Sequence, residues 1–133
     1  IRHAVDTYLA SHPVDARHPW LRWRPQRWSL NVWATILERG GHQNPHIHPG
    51  GYLSGVYYAQ VPEQTEPQDA EAGWIEFGTP PAEFPCMERH PSRRYAPEEG
   101  RLLLFPSYLF HHTVPFEGED FRISIAFDVV PED

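Results

Sequence analysis

The segment "NPHIHPGG", residues 44–51, sets two histidines one residue apart among prolines and glycines. Successive side chains alternate in extended backbone, so His46 and His48 share one face and Ile47 points away. Two imidazoles side by side can hold one metal ion, and a third ligand must come from elsewhere. The later "FHHT" supplies His111 or His112. Imidazoles suit Zn, Cu, Fe and Ni, so the residue types define a metal site without naming the metal. An isolated HxH pair is more often two surface histidines. Three features together favour a metal here: the turn residues around the pair, the strand that follows it, and a second histidine pair ahead of a strand bearing Arg122.

Arg122 adds a second kind of chemistry. A guanidinium on the polar face of a strand beside a metal invites an anion, because it binds carboxylate as a planar two-pronged fork. The plain alternative is a structural ion pair with one of the eighteen acidic residues. Ser124 lies on the same face and can donate a further hydrogen bond, or simply satisfy nearby backbone. Tyr57 and Tyr58 point to opposite faces of their strand, so only one of them reaches a pocket; Tyr58 is assigned to it.

These groups need a frame. Fifteen prolines in 133 residues is about twice ordinary usage, and proline breaks helices and avoids central strands. Short strands joined by fixed turns are expected, hence an all-β architecture. Apolar and β-branched runs place strands at 27–40, 52–62, 74–78, 102–105 and 121–131, with a strand or extended segment over 108–116. Residues 63–73 and the stretch "TPPAEFPCMERHPSR" read as loops. Ile1, Val5, Tyr8 and Leu9 recur at helical spacing, predicting one short helix over residues 1–10. Trp20 and Trp23 read as packing groups of an ordered loop, and Gly50, Gly51 and Gly55 as servants of a turn and of close strand packing. In the last strand Phe121, Ile123, Ile125, Phe127 and Val129 form an apolar face, and Arg122, Ser124, Ala126 and Asp128 a polar one. About eight strands and one helix suit a jelly roll holding a ligand between its sheets, with the helix against the outside of one sheet and the apolar face of 121–129 buried.

Composition excludes other classes. A formal charge of −7 with only the short basic run "RHPSRRY" argues against nucleic acid. No window approaches the roughly 18 apolar residues of a membrane span. A single cysteine, Cys86, allows no internal disulfide and no thiolate cage; it fits a reducing, cytoplasmic setting and reads as a packing or loop residue rather than a reactive one. The opening run from Ile1 lacks the basic and long apolar regions of a signal peptide. The chain is read as one domain over 1–133, of a kind that can form the C-terminal part of a longer protein. Oligomeric state is not legible.

The blocks "HIHPGGYLSGVYYAQVP", "GWIEFG", "EEGRLLLFPSYLFHHTVPF" and "FRISIAFDVVP" resemble the 2-oxoglutarate- and Fe(II)-dependent oxygenases of a bacterial branch with an HxH motif, often found after tetratricopeptide repeats. The likeness runs from about residue 19 to the C-terminus. It implies a double-stranded β-helix, bound Fe(II), 2-oxoglutarate as co-substrate, O₂ as oxidant, and a substrate, small molecule or protein or peptide, that is hydroxylated. It also implies His46, His48 and His111 as ligands, leaves His112 outside the ligand set, and matches Arg122 and Ser124 to an R-x-S pattern that holds the far carboxylate of 2-oxoglutarate. The superfamily's usual HxD or HxE carries an acid where His48 stands, so this ligand set is one unit more positive. Two other readings keep the histidines: a cupin-like three-histidine metalloenzyme that does not use 2-oxoglutarate, and a metal-stabilised binding domain without turnover.

Overall fold

The computed structural model describes residues 1–63, 69–85 and 91–132. Cys86, and parts of the two loops expected at 63–73 and 79–93, lie outside the described residues. Helix α1 (Arg2–Ser11) is followed by strands β1 (Trp28–Leu37), β2 (Leu53–Gln60), β3 (Ile75–Phe77), β4 (Arg93–Tyr95), β5 (Leu102–Pro106), β6 (His111–Thr113) and β7 (Arg122–Pro131). They form two antiparallel sheets, one ordered β1-β7-β2-β5 and the other β4-β3-β6. This is the expected jelly roll, a double-stranded β-helix. Among the described residues no helix is long and apolar enough to cross a membrane.

Among the described residues there are seven strands, against the about eight expected. The place beside β6 in the smaller sheet is held by a single antiparallel bridge between His46 and His111. On either side the hydrogen bonds leave this register, Thr113 N–H reaching the Gln43 carbonyl and His48 N–H the Ser107 carbonyl, so the pairing does not extend into a regular ladder. Strand β4 falls within a stretch read as irregular and basic. All three of its residues are exposed, so no alternation of apolar and polar groups marks it.

The larger sheet has two unlike faces. On its outer face Val5 and Leu9 of α1 pack with Leu53, Phe127 and Val129, joined by Trp20, Trp28 and Leu30. A ten-residue helix is marginal by itself; burying two aliphatic side chains stabilises its docking by about 1.5–3 kcal/mol each. Trp20 stacks on Tyr52 at 4.5 Å and Trp23 meets the same ring edge-on at 5.7 Å, so both tryptophans pack. Gly55 lies beneath the Phe127 ring, where an added Cβ would fall 2.3 Å from Cζ.

The helix is too short to cover the whole face. Phe127 and Val129 are fully buried, but Ile123 and Ile125 are only partly so, Ile36 and Tyr57 opposite them are exposed, and Phe121 is 47 % exposed. The expectation that the apolar side of 121–129 is buried throughout therefore holds only for the end beneath α1. It is the polar side, Arg122 with Ser124, that enters the space between the sheets.

Candidate metal and anion site

The backbone around the HxH pair is fixed at both ends. His46 exchanges two hydrogen bonds with His111, N–H to carbonyl at 3.0 and 3.1 Å. His48 donates its N–H to the Ser107 carbonyl at 2.9 Å, and its own carbonyl accepts from Gly51 N–H at 3.0 Å, closing a turn through Pro49 and Gly50. Gly51 allows Ser107 to approach: an added Cβ there would lie 2.5 Å from Ser107 Oγ.

These constraints bring three imidazoles together. Ring centroids of His46, His48 and His111 are separated by 5.1, 4.3 and 5.1 Å, and one ring nitrogen from each lies within 4.8 Å of the others. Each Nδ1 is already engaged: His46 Nδ1 with the Asn44 carbonyl at 2.7 Å, His111 Nδ1 with the Leu109 carbonyl at 3.0 Å, and His48 Nδ1 with the Asp128 carboxylate at 2.9 and 3.0 Å. Carbonyl and carboxylate oxygens only accept, so each Nδ1 carries the hydrogen and each Nε2 is left with its lone pair. His111 is buried, and that burial pushes its pKa down to about 4. The ring is therefore neutral at physiological pH. His112 faces the other side of β6, with Nε2 3.9 Å from Glu76.

The other end of the same cavity is cationic. Arg122 is buried at the start of β7 and donates from Nη1 to the Gly73 carbonyl at 2.6 Å. Its guanidinium carbon lies 5.1 Å from the centre of the fully buried Tyr58 ring, whereas Tyr57 faces outward. Arg122 Nε and the Tyr58 hydroxyl are buried without hydrogen-bond partners. Such orphans are rare in native structures and costly. Burial lowers the pKa of Arg122 and raises that of Tyr58, the neighbouring guanidinium offsetting part of the rise. Ser124 is buried two residues along the same face.

The histidines and Arg122 line one narrow cavity of ≈ 40 Å³. A larger cleft of ≈ 490 Å³ lies beside it between β5 and the β3–β4 hairpin, lined by Phe77, Tyr95, Leu103, Phe105 and Arg93. Phe105 borders both and sits 4.8 Å from the His111 ring. Reading the sequence missed one residue of this site, Asp128. The alternation of β7 placed it on the polar face, but nothing local ties it to a histidine 80 positions away.

A jelly roll whose interior offers three imidazole nitrogens and a buried arginine defines a class: the metal-binding double-stranded β-helix proteins. The chain belongs to the family described as "Putative 2OG-Fe(II) oxygenase", whose profile matches residues 31–128. Among solved structures it is similar to a Pseudomonas putida prolyl-4-hydroxylase, with TM-score 0.57 and 16% identity over 78% of this chain and 52% of that one. It is also similar to an oxidoreductase of the 2OG-Fe(II) oxygenase family from Burkholderia pseudomallei, with TM-score 0.54 and 12% identity over 79% of this chain and 47% of the other. A prolyl 4-hydroxylase from Phytophthora capsici matches 98% of this chain over 39% of its own, with TM-score 0.54 and 16% identity. These likenesses show a shared fold, and the chain spans about half the length of the first two structures. No sequence among curated proteins matches it.

Proposed function

We propose that this chain is the oxygenase domain of an Fe(II)- and 2-oxoglutarate-dependent hydroxylase, with residues 1–133 acting as one unit. His46, His48 and His111 are the residues for the metal, and Arg122, Tyr58 and Ser124 those for the far carboxylate of 2-oxoglutarate. One observation carries the reading: a single cavity holds three metal-ready nitrogens at one end and, at the other, a buried guanidinium whose Nε lacks a partner beside a hydroxyl that also lacks one. A dicarboxylate that reaches from metal to Arg122 satisfies both orphans. That fit favours 2-oxoglutarate over a cupin-like site needing no co-substrate.

When bound, iron with 2-oxoglutarate supplies the oxidising power for O₂-dependent hydroxylation. The chain's own residues do the rest. The Nδ1 contacts hold three rings in register, the Arg122 fork orients the anion, and Phe105 with Phe77 keeps water from the side of His111 that faces the cleft. No general base is required of any side chain. The adjoining cleft, apolar with Arg93 at its edge, suits an apolar or aromatic group of a small molecule or peptide substrate carrying an anion. The charge of −7 makes nucleic acid an unfavourable partner, and a lone cysteine suits the reducing cytoplasm, where Fe(II) persists.

The test is succinate release by the Fe(II) protein supplied with 2-oxoglutarate and O₂. Release that disappears when Arg122 is replaced supports the assignment. Tight metal binding without 2-oxoglutarate binding moves the chain to the cupin-like or non-catalytic reading.

A further inference from the structure

The ligand set has no carboxylate, yet a carboxylate stands one atom layer behind it. Asp128, on the polar face of β7, presents both oxygens to His48 Nδ1, Oδ1 at 2.9 Å and Oδ2 at 3.0 Å. His46 and His111 use only backbone carbonyls for the same purpose. Both partners of the His48–Asp128 contact are largely shielded from water, their side chains 17% and 13% exposed.

The carboxylate is itself pinned. Ser54 donates from Oγ to Asp128 Oδ1 at 2.6 Å and accepts a hydrogen bond from Ser107 Oγ at 2.8 Å, both serines being 1% exposed. Ser107 also accepts the backbone N–H of His48 at 2.9 Å. The ring and the backbone of His48 thus hang from one closed chain, Asp128–Ser54–Ser107.

We propose that Asp128 is a positioning residue that returns to the site, through the His48 imidazole, the negative charge that a direct carboxylate ligand would supply. The inference rests on the metal assignment above. An anionic acceptor on Nδ1–H fixes the tautomer that leaves Nε2 free, aims that nitrogen at the metal, and raises its basicity. A carbonyl does the first two, but with a partial charge only. Low local polarity strengthens the contact further. His48 therefore differs from the other two ligands: it is the donor of a charge-backed bond, and its strength is set by a residue that never touches the metal. The two serines hold the carboxylate in that position.

The experiment is titration of Co(II) into metal-free protein, read by its visible d–d absorption, with the thermal midpoint of each metal-free variant measured alongside. Asp128→Asn keeps the shape and removes the charge. It is expected to weaken Co(II) binding about 10–100-fold, with a shifted d–d spectrum and a folded metal-free state. A folded Asp128→Asn protein with wild-type Co(II) affinity overturns the proposal. A double-mutant cycle locates the effect: in a His48→Ala background Asp128→Asn should change Co(II) affinity no further, and an equal loss in both backgrounds refutes action through His48. Should Asp128→Asn not fold, Ser54→Ala replaces it, keeping the charge while removing its anchor. A several-fold weakening is then expected, and none at all is contrary. Wild-type protein that binds no Co(II) removes the metal assignment itself, an outcome visible before any variant is compared.

Discussion

At the histidine end of the cavity every Nδ1 has its acceptor, so the three rings are set before any metal arrives. At the arginine end two buried polar atoms, Arg122 Nε and the Tyr58 hydroxyl, have no hydrogen-bond partner. The first end is prepared and at rest; the second is prepared and costly. Hydrogen bonds already made keep a ligand cluster in shape, whereas a buried donor left unmade costs about 1–3 kcal/mol until something fills it. A protein tolerates that second cost where a ligand repays it.

Removing a ligand should give the largest effect. His111→Ala takes away a neutral nitrogen and opens the wall shared with Phe105, so metal affinity should fall by more than the about 100-fold that outer contacts typically supply. Calorimetric metal titration checks this, and a smaller loss would indicate that two histidines suffice. Next comes the other end. Arg122→Ala should weaken 2-oxoglutarate by about 2–4 kcal/mol, the scale for losing one partner of a buried charge pair, with metal binding nearly intact. Arg122→Lys should recover only part of it, since a point charge cannot form the fork. Anaerobic titration of 2-oxoglutarate into the Fe(II) protein, followed through its charge-transfer band, reads both variants. Equal affinity for all three proteins would reduce Arg122 to a structural cation.

Acid should separate the two ends again. His111 is depressed from 6.5 to about 4 chiefly by burial. Its contribution to stability is fully present above pH 6.5, where the ring is neutral folded or unfolded. Between 6.5 and about 4 the unfolded chain takes up a proton that the buried ring refuses, so metal-free protein should lose up to roughly 3 kcal/mol across that window. Urea midpoints measured from pH 7 to 4 test the slope, and His111→Asn should flatten it. The smallest effect is expected from Tyr58→Phe. Losing the orphan hydroxyl should leave the metal-free protein as stable or about 1 kcal/mol more so, while weakening 2-oxoglutarate by about 1 kcal/mol. Thermal melts with and without the co-substrate show whether the two signs are opposite.

The sequence alone determined what depends on neighbours along the chain. The alternation of β7 separated Arg122 and Ser124 from Phe127 and Val129, and the Pro-Gly context of residues 44–51 marked His46 and His48 as a presented pair, because periodicity and turn chemistry are local. The choice of His111 over His112 came with the family resemblance, and the structure places His111 beside the pair and His112 toward Glu76. Strand β4 has no signature in the sequence because its pairing with β3 is made by backbone groups, to which its exposed side chains give no clue. Only tertiary structure decided that the polar face of β7 turns inward, that α1 covers just one end of the outer face, and that Asp128 stands behind His48. Each of these depends on surfaces far apart in the chain meeting at hydrogen-bond distance, and no local pattern encodes which carboxylate will be the one that arrives.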